Sequence, residues 1–259
     1  MGFTRLITCG DSFTEGMTDE MVNGNYRGWA DRVADVMAQE EPNFTYANLA
    51  IRGKLVRQVV EEQLTQALSF VTGADTLFIF HAGANDVLRP NYKPQEVLDF
   101  YSDGVRKVAA SGATVLLFTV LEKTANEGRT GRIWATRFAD FNRNVRSIAK
   151  EVGAMVADAN EDGFLSDRRF LATDRLHLNQ IGHDRVAHGV LEKIGLPFSP
   201  AWHEPLPPAP KASWLSEIYD HILWFTSFFL PWILRRMLGK SSGDGRSAKY
   251  PRPISWPTN

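Results

Sequence analysis

Leu6-Ile7-Thr8-Cys9-Gly10-Asp11-Ser12-Phe13-Thr14-Glu15-Gly16 is the stretch on which the reading of this chain turns. An apolar run of strand type stops at Gly10-Asp11-Ser12, so a serine hydroxyl stands at the end of a buried strand. Open α/β sheets bind their ligands there, at the carboxyl ends of the strands. Gly-Asp-Ser is also ordinary turn chemistry, and the stretch gains meaning only from what the rest of the chain supplies. Far downstream, Asp174-Arg175-Leu176-His177 sets a carboxylate and an imidazole three residues apart, just ahead of a helix-like segment. A hydroxyl, a base and an acid are the side chains that acyl transfer through a serine needs.

Further strand-like runs follow the first (Leu6–Cys9) at Thr45–Leu49, Thr76–Ala82, Thr114–Val120 and Met155–Asp158. Helix-like stretches at Trp29–Gln39, Lys54–Phe70, Pro94–Ala110, Trp134–Val152 and Gly182–Ile194 alternate with them. Val56, Val59, Val60 and Leu64 recur at helical spacing and mark one buried face. Strands alternating with helices of this length predict a parallel sheet covered on both sides. Two of the strand-like runs end in turns of their own: Asn48-Leu49-Ala50-Ile51-Arg52-Gly53, and His81-Ala82-Gly83-Ala84-Asn85-Asp86.

Taken in order, Gly10-Asp11-Ser12, Gly53, Gly83-Ala84-Asn85-Asp86 and Asp174-Arg175-Leu176-His177 resemble the four blocks of the SGNH hydrolases, the GDSL-type esterase and lipase family. The resemblance spans roughly residues 3–196. Phe13 stands where the family name has leucine, and Leu178 follows His177 where proline is common. Neither position carries a proton or a donor. The resemblance implies a three-layer α/β/α sandwich around a central parallel, flavodoxin-like five-stranded sheet. It also implies a cofactor-independent serine esterase acting on carboxylic esters through an acyl-enzyme, with no metal. Carried over residue by residue, Ser12 is the nucleophile, His177 the base and Asp174 the residue that orients its ring. The oxyanion donors are the backbone N–H groups of Ser12 and Gly53 and the side-chain amide of Asn85. The order, with serine early and acid and base close together late, differs from the Gly-x-Ser-x-Gly elbow of α/β-hydrolases. Asp11 and Asp86 read as turn residues, His183 as packing or surface, and His81 as a buried, hydrogen-bonded ring beside the pocket.

Composition sets limits on partners. Of 259 residues, 29 are Lys or Arg and 30 Asp or Glu, a formal charge of −1 that gives no electrostatic case for nucleic acid. The single cysteine, Cys9, cannot form an internal disulfide and reads as an inert core residue. The first strand begins too near residue 1 for a secretory leader, so the cytoplasm is the expected address. The expected pocket walls are Phe13–Met21, Val87–Tyr92, Glu122–Arg132 and Asn160–Thr173. Lys123, Arg129 and Arg132 lean them mildly toward polar or anionic substrates, while lipid, acetylated-sugar and thioester substrates all stay open.

Beyond a hydrolase-like domain at residues 1–196, prolines 197, 200, 205, 207, 208 and 210 predict an extended linker over 197–213. Residues 214–238, dense in Trp, Phe, Ile and Leu, predict a helix whose uninterrupted apolar core, Ile222–Leu234 with Pro231 inside it, is too short to span a bilayer. Packing on the domain, peripheral membrane contact, self-association or a flap near the active site are its open roles. Residues 239–259 read as a mobile basic tail. The alternative to an enzyme is a non-catalytic membrane- or partner-binding module built on that apolar helix.

Overall fold

The computed structural model describes residues 2–122, 129–161, 166–209, 213–237 and 240–256. Strands β1 (Arg5–Gly10), β2 (Thr45–Asn48), β3 (Thr76–His81), β4 (Thr114–Phe118), β5 (Met155–Ala157) and β6 (Tyr250–Ser255) form one sheet in the order β5-β4-β3-β1-β2-β6. The first five are parallel and follow the flavodoxin-like order expected. Strand β1 is central, and its registers with both neighbours fix where its carboxyl end lies. Thr8 lies opposite Asn48 of β2, and Gly10 opposite His81 of β3.

Alternation along the strands builds two cores. Ile7, Phe78, Phe80 and Leu117 face a helical run at residues 56–70 (α3) and helices α5 (Pro94–Ala110) and α6 (Arg129–Val152). Their chain neighbours Leu6, Leu77, Ile79 and Leu116 face α2 (Gly28–Glu40) and α7 (Gln180–Lys193) through Trp29, Val33, Met37, Val190 and Leu191. A strand buried on both faces reads as a continuous apolar run, which is how Leu77-Phe78-Ile79-Phe80 reads. Cys9 is fully buried in the first of these cores, and desolvation pushes its thiol up.

The sheet has six strands where five are expected, because the chain after residue 239 is not a mobile tail over its described part. Strand β6 pairs antiparallel with β2, Thr45 against Ser255 and Tyr46 against Ile254, with an irregularity before Asn48 meets Tyr250. Its sequence, Tyr250-Pro251-Arg252-Pro253-Ile254-Ser255, has two prolines that cannot donate to a ladder. Prolines are tolerated in a strand only at an edge, so composition hides what the pairing reveals. The ammonium of Lys249, 3% exposed, lies 2.7 Å from Asp31 Oδ1 and also donates to the carbonyls of Tyr26 and Arg27. Trp256 packs edge-on against Tyr46 at 4.8 Å and donates its indole N–H to Asp35. Residues 257–259 and 239 of that expectation lie outside the described set.

The proline-rich segment is less extended than its composition suggests. Pro200–His203 forms a 3₁₀ turn that lays the Trp202 ring on Gly189 of α7, with its indole N–H on Glu192. The apolar segment is a continuous helical run at 214–237 (α8), with an α-helical Trp214–Trp224, a π-helical Phe225–Phe229 and an α-helical Leu230–Met237. The widened turn immediately precedes Pro231, whose missing N–H removes a bond from the ladder. Much of this helix faces outward, with Trp214 67%, Tyr219 65% and Ile222 57% exposed. Among the described residues no helix is long and apolar enough to cross a membrane.

Candidate active site

Ser12 opens a short helix, α1 (Ser12–Glu15), directly after β1. Asp11 caps it by accepting from Phe13 N at 3.2 Å, and Gly16 ends it in the left-handed region at φ 90°. Being first in a helix, Ser12 has a backbone N–H with no intrahelical acceptor. The strand end is pinned from the other face by a residue the sequence reading passed over. The buried amide of Gln63, on α3, brackets Gly10 by accepting from its N–H at 2.8 Å and donating to its carbonyl at 2.9 Å. A lone glutamine in the apolar stripe Val59-Val60-Gln63-Leu64 is the signal that marked it.

Ser12 Oγ lies 2.9 Å from His177 Nε2, and His177 Nδ1 lies 2.6 Å from Asp174 Oδ2. The three residues named from the sequence, 165 positions apart at the extremes, form one hydrogen-bonded chain. Asp174 spends its other oxygen on the backbone N–H groups of Leu176 and His177, both at 3.0 Å, which sets the carboxylate plane. Burial works to raise the Asp174 carboxyl. The bonds from His177 and the two amides outweigh it and hold the group below the usual carboxylate range. A hydroxyl, a neutral imidazole nitrogen and an ionised acid so arranged can pass a proton from oxygen to nitrogen while holding the ring's orientation.

Gly53 follows β2 in a turn at φ +75°, a conformation costly for any residue with a Cβ. A Cβ there would also run into the hydroxyl of Ser241, so the C-terminal chain passes directly over this glycine. Its neighbour Arg52 is held to Glu15 of α1 by backbone and guanidinium bonds. That ties the Gly53 turn to the helix carrying Ser12.

Asn85 lies in α4 (Ala84–Val87), entered through Gly83 at φ +107°. Its Nδ2 donates to Asp11 Oδ2 at 3.0 Å and to the carbonyl of Lys54 at 3.2 Å. The amide thus bridges the turn before the serine and the turn beside Gly53. Asp86 caps α3 through Val56 N at 2.9 Å, and burial pushes its carboxyl up to about 6.

Two other histidines, His183 and His81, are structural. His183, buried on α7, accepts from Trp29 N at 3.3 Å and donates to Met17 O at 3.1 Å, and burial lowers it to about 4. His81 is buried but not hydrogen-bonded at Nδ1, which stands 3.8 Å from Asp11 Oδ1. Its ring packs on Phe13 at 4.7 Å, and Phe13 in turn meets Phe118 and Trp29, an aromatic nest that explains a phenylalanine after Ser12. The expected walls Glu122–Arg132 and Asn160–Thr173 fall in part on residues 123–128 and 162–165, outside the described set. Among the described residues no group of His, Cys, Asp or Glu side chains could hold a metal ion.

Of the roles left open for the apolar segment, α8 makes a contact beside this site. Trp224 donates its indole N–H to the carbonyl of Asp174 at 2.9 Å. Only the apolar composition of 214–238 was legible beforehand, not which loop it would touch.

Solved structures with the same fold include an acetylxylan esterase from Geobacillus stearothermophilus, 20% identical, with TM-score 0.62 over 80% of this chain and 99% of the other. An α/β hydrolase enzyme from the metagenome of Lake Arreo, Spain, is 19% identical, with TM-score 0.61 over 75% of this chain and 97% of the other. A lipolytic G-D-S-L family protein from Veillonella parvula is 19% identical, with TM-score 0.57 over 73% and 96%. No protein of curated function matches the sequence. The model of the GDSL-like lipase/acylhydrolase family matches residues 8–185, from β1 through the Asp174–His177 turn into α7. The chain belongs to the GDSL-like lipase/acylhydrolase family.

Proposed function

We propose that this protein is a serine esterase that hydrolyses carboxylic esters through an acyl-enzyme. The observation that carries the reading is the hydrogen-bonded chain Ser12–His177–Asp174, at 2.9 and 2.6 Å. Ser12 Oγ attacks the ester carbonyl carbon as its proton passes to His177 Nε2. The C–O bond to the alcohol then breaks, and the alcohol leaves with that proton. Water deacylates the serine by the same path in reverse, with His177 again as base.

The oxyanion formed at each stage needs donors already in place. Ser12 N–H and Gly53 N–H are two of them, and each lacks an intramolecular acceptor among the described residues. Asn85 is the third. Both its amide hydrogens have partners in the resting site, and the 3.2 Å bond to Lys54 O is the longer and the one to be given up. No step calls for a cofactor. Acetylated carbohydrates are a class worth assaying, because an acetylxylan esterase shares the fold.

Turnover of p-nitrophenyl acetate by purified full-length protein tests the reading. Ser12→Ala and His177→Ala should each remove most of the activity. The double variant should be little worse than either single one, since the residues act as a unit. Full activity in Ser12→Ala ends the proposal. The outward apolar face of α8 favours a second property, peripheral membrane contact or self-association. As a non-catalytic module this would leave the Ser12–His177–Asp174 chain without a use.

A further inference from the structure

The turn that carries Asp174 and His177 is held both by bonds of its own and by α8. Arg175, between them, sits at φ +59°, in the left-handed region that a residue with a long side chain seldom occupies. Within the turn the Arg175 N–H reaches Ala172 O at 2.9 Å, the Ala172 N–H reaches His177 O at 2.8 Å, and Asp174 Oδ1 accepts from the Leu176 and His177 N–H groups at 3.0 Å; further restraint comes from α8. From α8, the indole N–H of Trp224 reaches the carbonyl of Asp174 at 2.9 Å. The Arg175 guanidinium donates to the carbonyl of Asp220 at 2.9 Å and to His221 Nδ1 at 2.8 Å, and stacks over the Trp224 ring at 5.0 Å. A guanidinium has only donors, so His221 Nδ1 is the acceptor and this ring carries its proton on Nε2.

We propose that α8 works as a positioning element of the acid–base turn, with Trp224 as its key residue. The chain of cause is short. Trp224 holds the Asp174 peptide. The Asp174 carboxylate is oriented through the same turn, by the amides of Leu176 and His177. The carboxylate sets the His177 ring, and the ring faces Ser12. Strained backbone persists where its surroundings over-determine it, and here part of those surroundings is a segment outside the part of the chain that matches the family. The C-terminal segment is therefore part of the working site rather than an appendage to it.

This inference rests on the esterase reading for its kinetic arm only, so it is tested on the full-length chain by two independent readouts. Trp224→Phe keeps an aromatic ring and deletes the N–H. Its kcat on p-nitrophenyl acetate should fall roughly 3- to 10-fold, the worth of one neutral hydrogen bond, with KM nearly unchanged. The low-field proton resonance of the His177 Nδ1–H, which reports its bond to Asp174, should shift or broaden. Trp224→His, which retains a ring N–H, should recover part of both. An unchanged kcat with an unchanged resonance overturns the proposal, even if the melting temperature falls, because that is the signature of packing alone. A rise in KM without loss of kcat also overturns it, making Trp224 a substrate wall. If wild type turns over no ester, the esterase reading fails, and the resonance still decides whether Trp224 positions the turn.

Discussion

Replacing Asn85 separates two roles that its geometry combines. The amide bridges Asp11 and the Lys54 carbonyl, and it is also the proposed third donor to the oxyanion. Asn85→Ala removes both. Loss of an oxyanion donor costs about 10²- to 10³-fold in kcat with little change in KM, because the bond strengthens as charge develops. Asn85→Asp does something worse. It sets a second carboxylate where the amide now stands, 3.0 Å from an Asp11 that is 2% exposed. Two unit charges at that distance repel by about 5.5 kcal/mol at an effective dielectric constant of about 20. That repulsion forces the pair to share a proton or to separate. In melting experiments across pH, Asn85→Asp should be less stable than Asn85→Ala near neutrality, and the gap should narrow as acid supplies the shared proton. Steady-state kinetics on p-nitrophenyl acetate then gives kcat for both. Asn85→Ala with kcat within threefold of wild type and a lowered melting temperature would refute the donor role and leave Asn85 as a clip between two turns.

Two further outcomes follow from buried charge. Lys249→Met strips Asp31 of its ammonium and takes one donor from each of the carbonyls of Tyr26 and Arg27, so thermal unfolding should show a loss of about 3–5 kcal/mol. Burial already raises Asp31 to about 6, so Lys249→Met with Asp31→Asn should recover part of that loss, and a purely additive double variant would contradict the pairing. At the end of β5, burial tends to raise Asp158, but Arg146, the Asn160 amide and Thr119 bring it down to about 2 from an ordinary 3.8. A lowered carboxyl stabilises the fold above its unfolded value and loses that contribution as pH falls through the folded one. The stability gap between wild type and Asp158→Asn should therefore be full at neutral pH and close between about pH 4 and pH 2. A gap independent of pH would deny that link.

The parallel sheet was legible because its signals are local. Thr76–Ala82 is apolar without alternation, as a strand covered on both sides must be, and Pro94–Ala110 carries its stripe along the whole helix. The candidate site was legible for another reason: Ser12, Gly53, Asn85 and the Asp174–His177 pair lie in motifs that resemble, in order, the blocks of a known family. What escaped reading depends on pairings that no local pattern announces. Strand β6 carries two prolines and is specified by its edge partner β2, and by Lys249 finding Asp31 across more than two hundred residues. The amide of Gln63 looked like one polar residue in a buried stripe until its bonds to Gly10 were seen. Trp224 reads as one apolar residue among many, and only the tertiary structure brings it to Asp174. Asn85 was a candidate from the sequence, but its bond to Asp11 was not foreseen, since side-chain partners 74 positions apart leave no trace in spacing.

The central claim is that the Ser12 hydroxyl is a nucleophile activated by His177. It is tested most directly by treating the full-length protein with a fluorophosphonate and mapping the adduct by peptide mass spectrometry. One stoichiometric phosphonyl adduct should appear on the peptide containing Ser12, slowed severely in His177→Ala and absent in Ser12→Ala. A folded wild-type protein that takes no adduct, or takes it equally well after Ser12→Ala, would contradict the account.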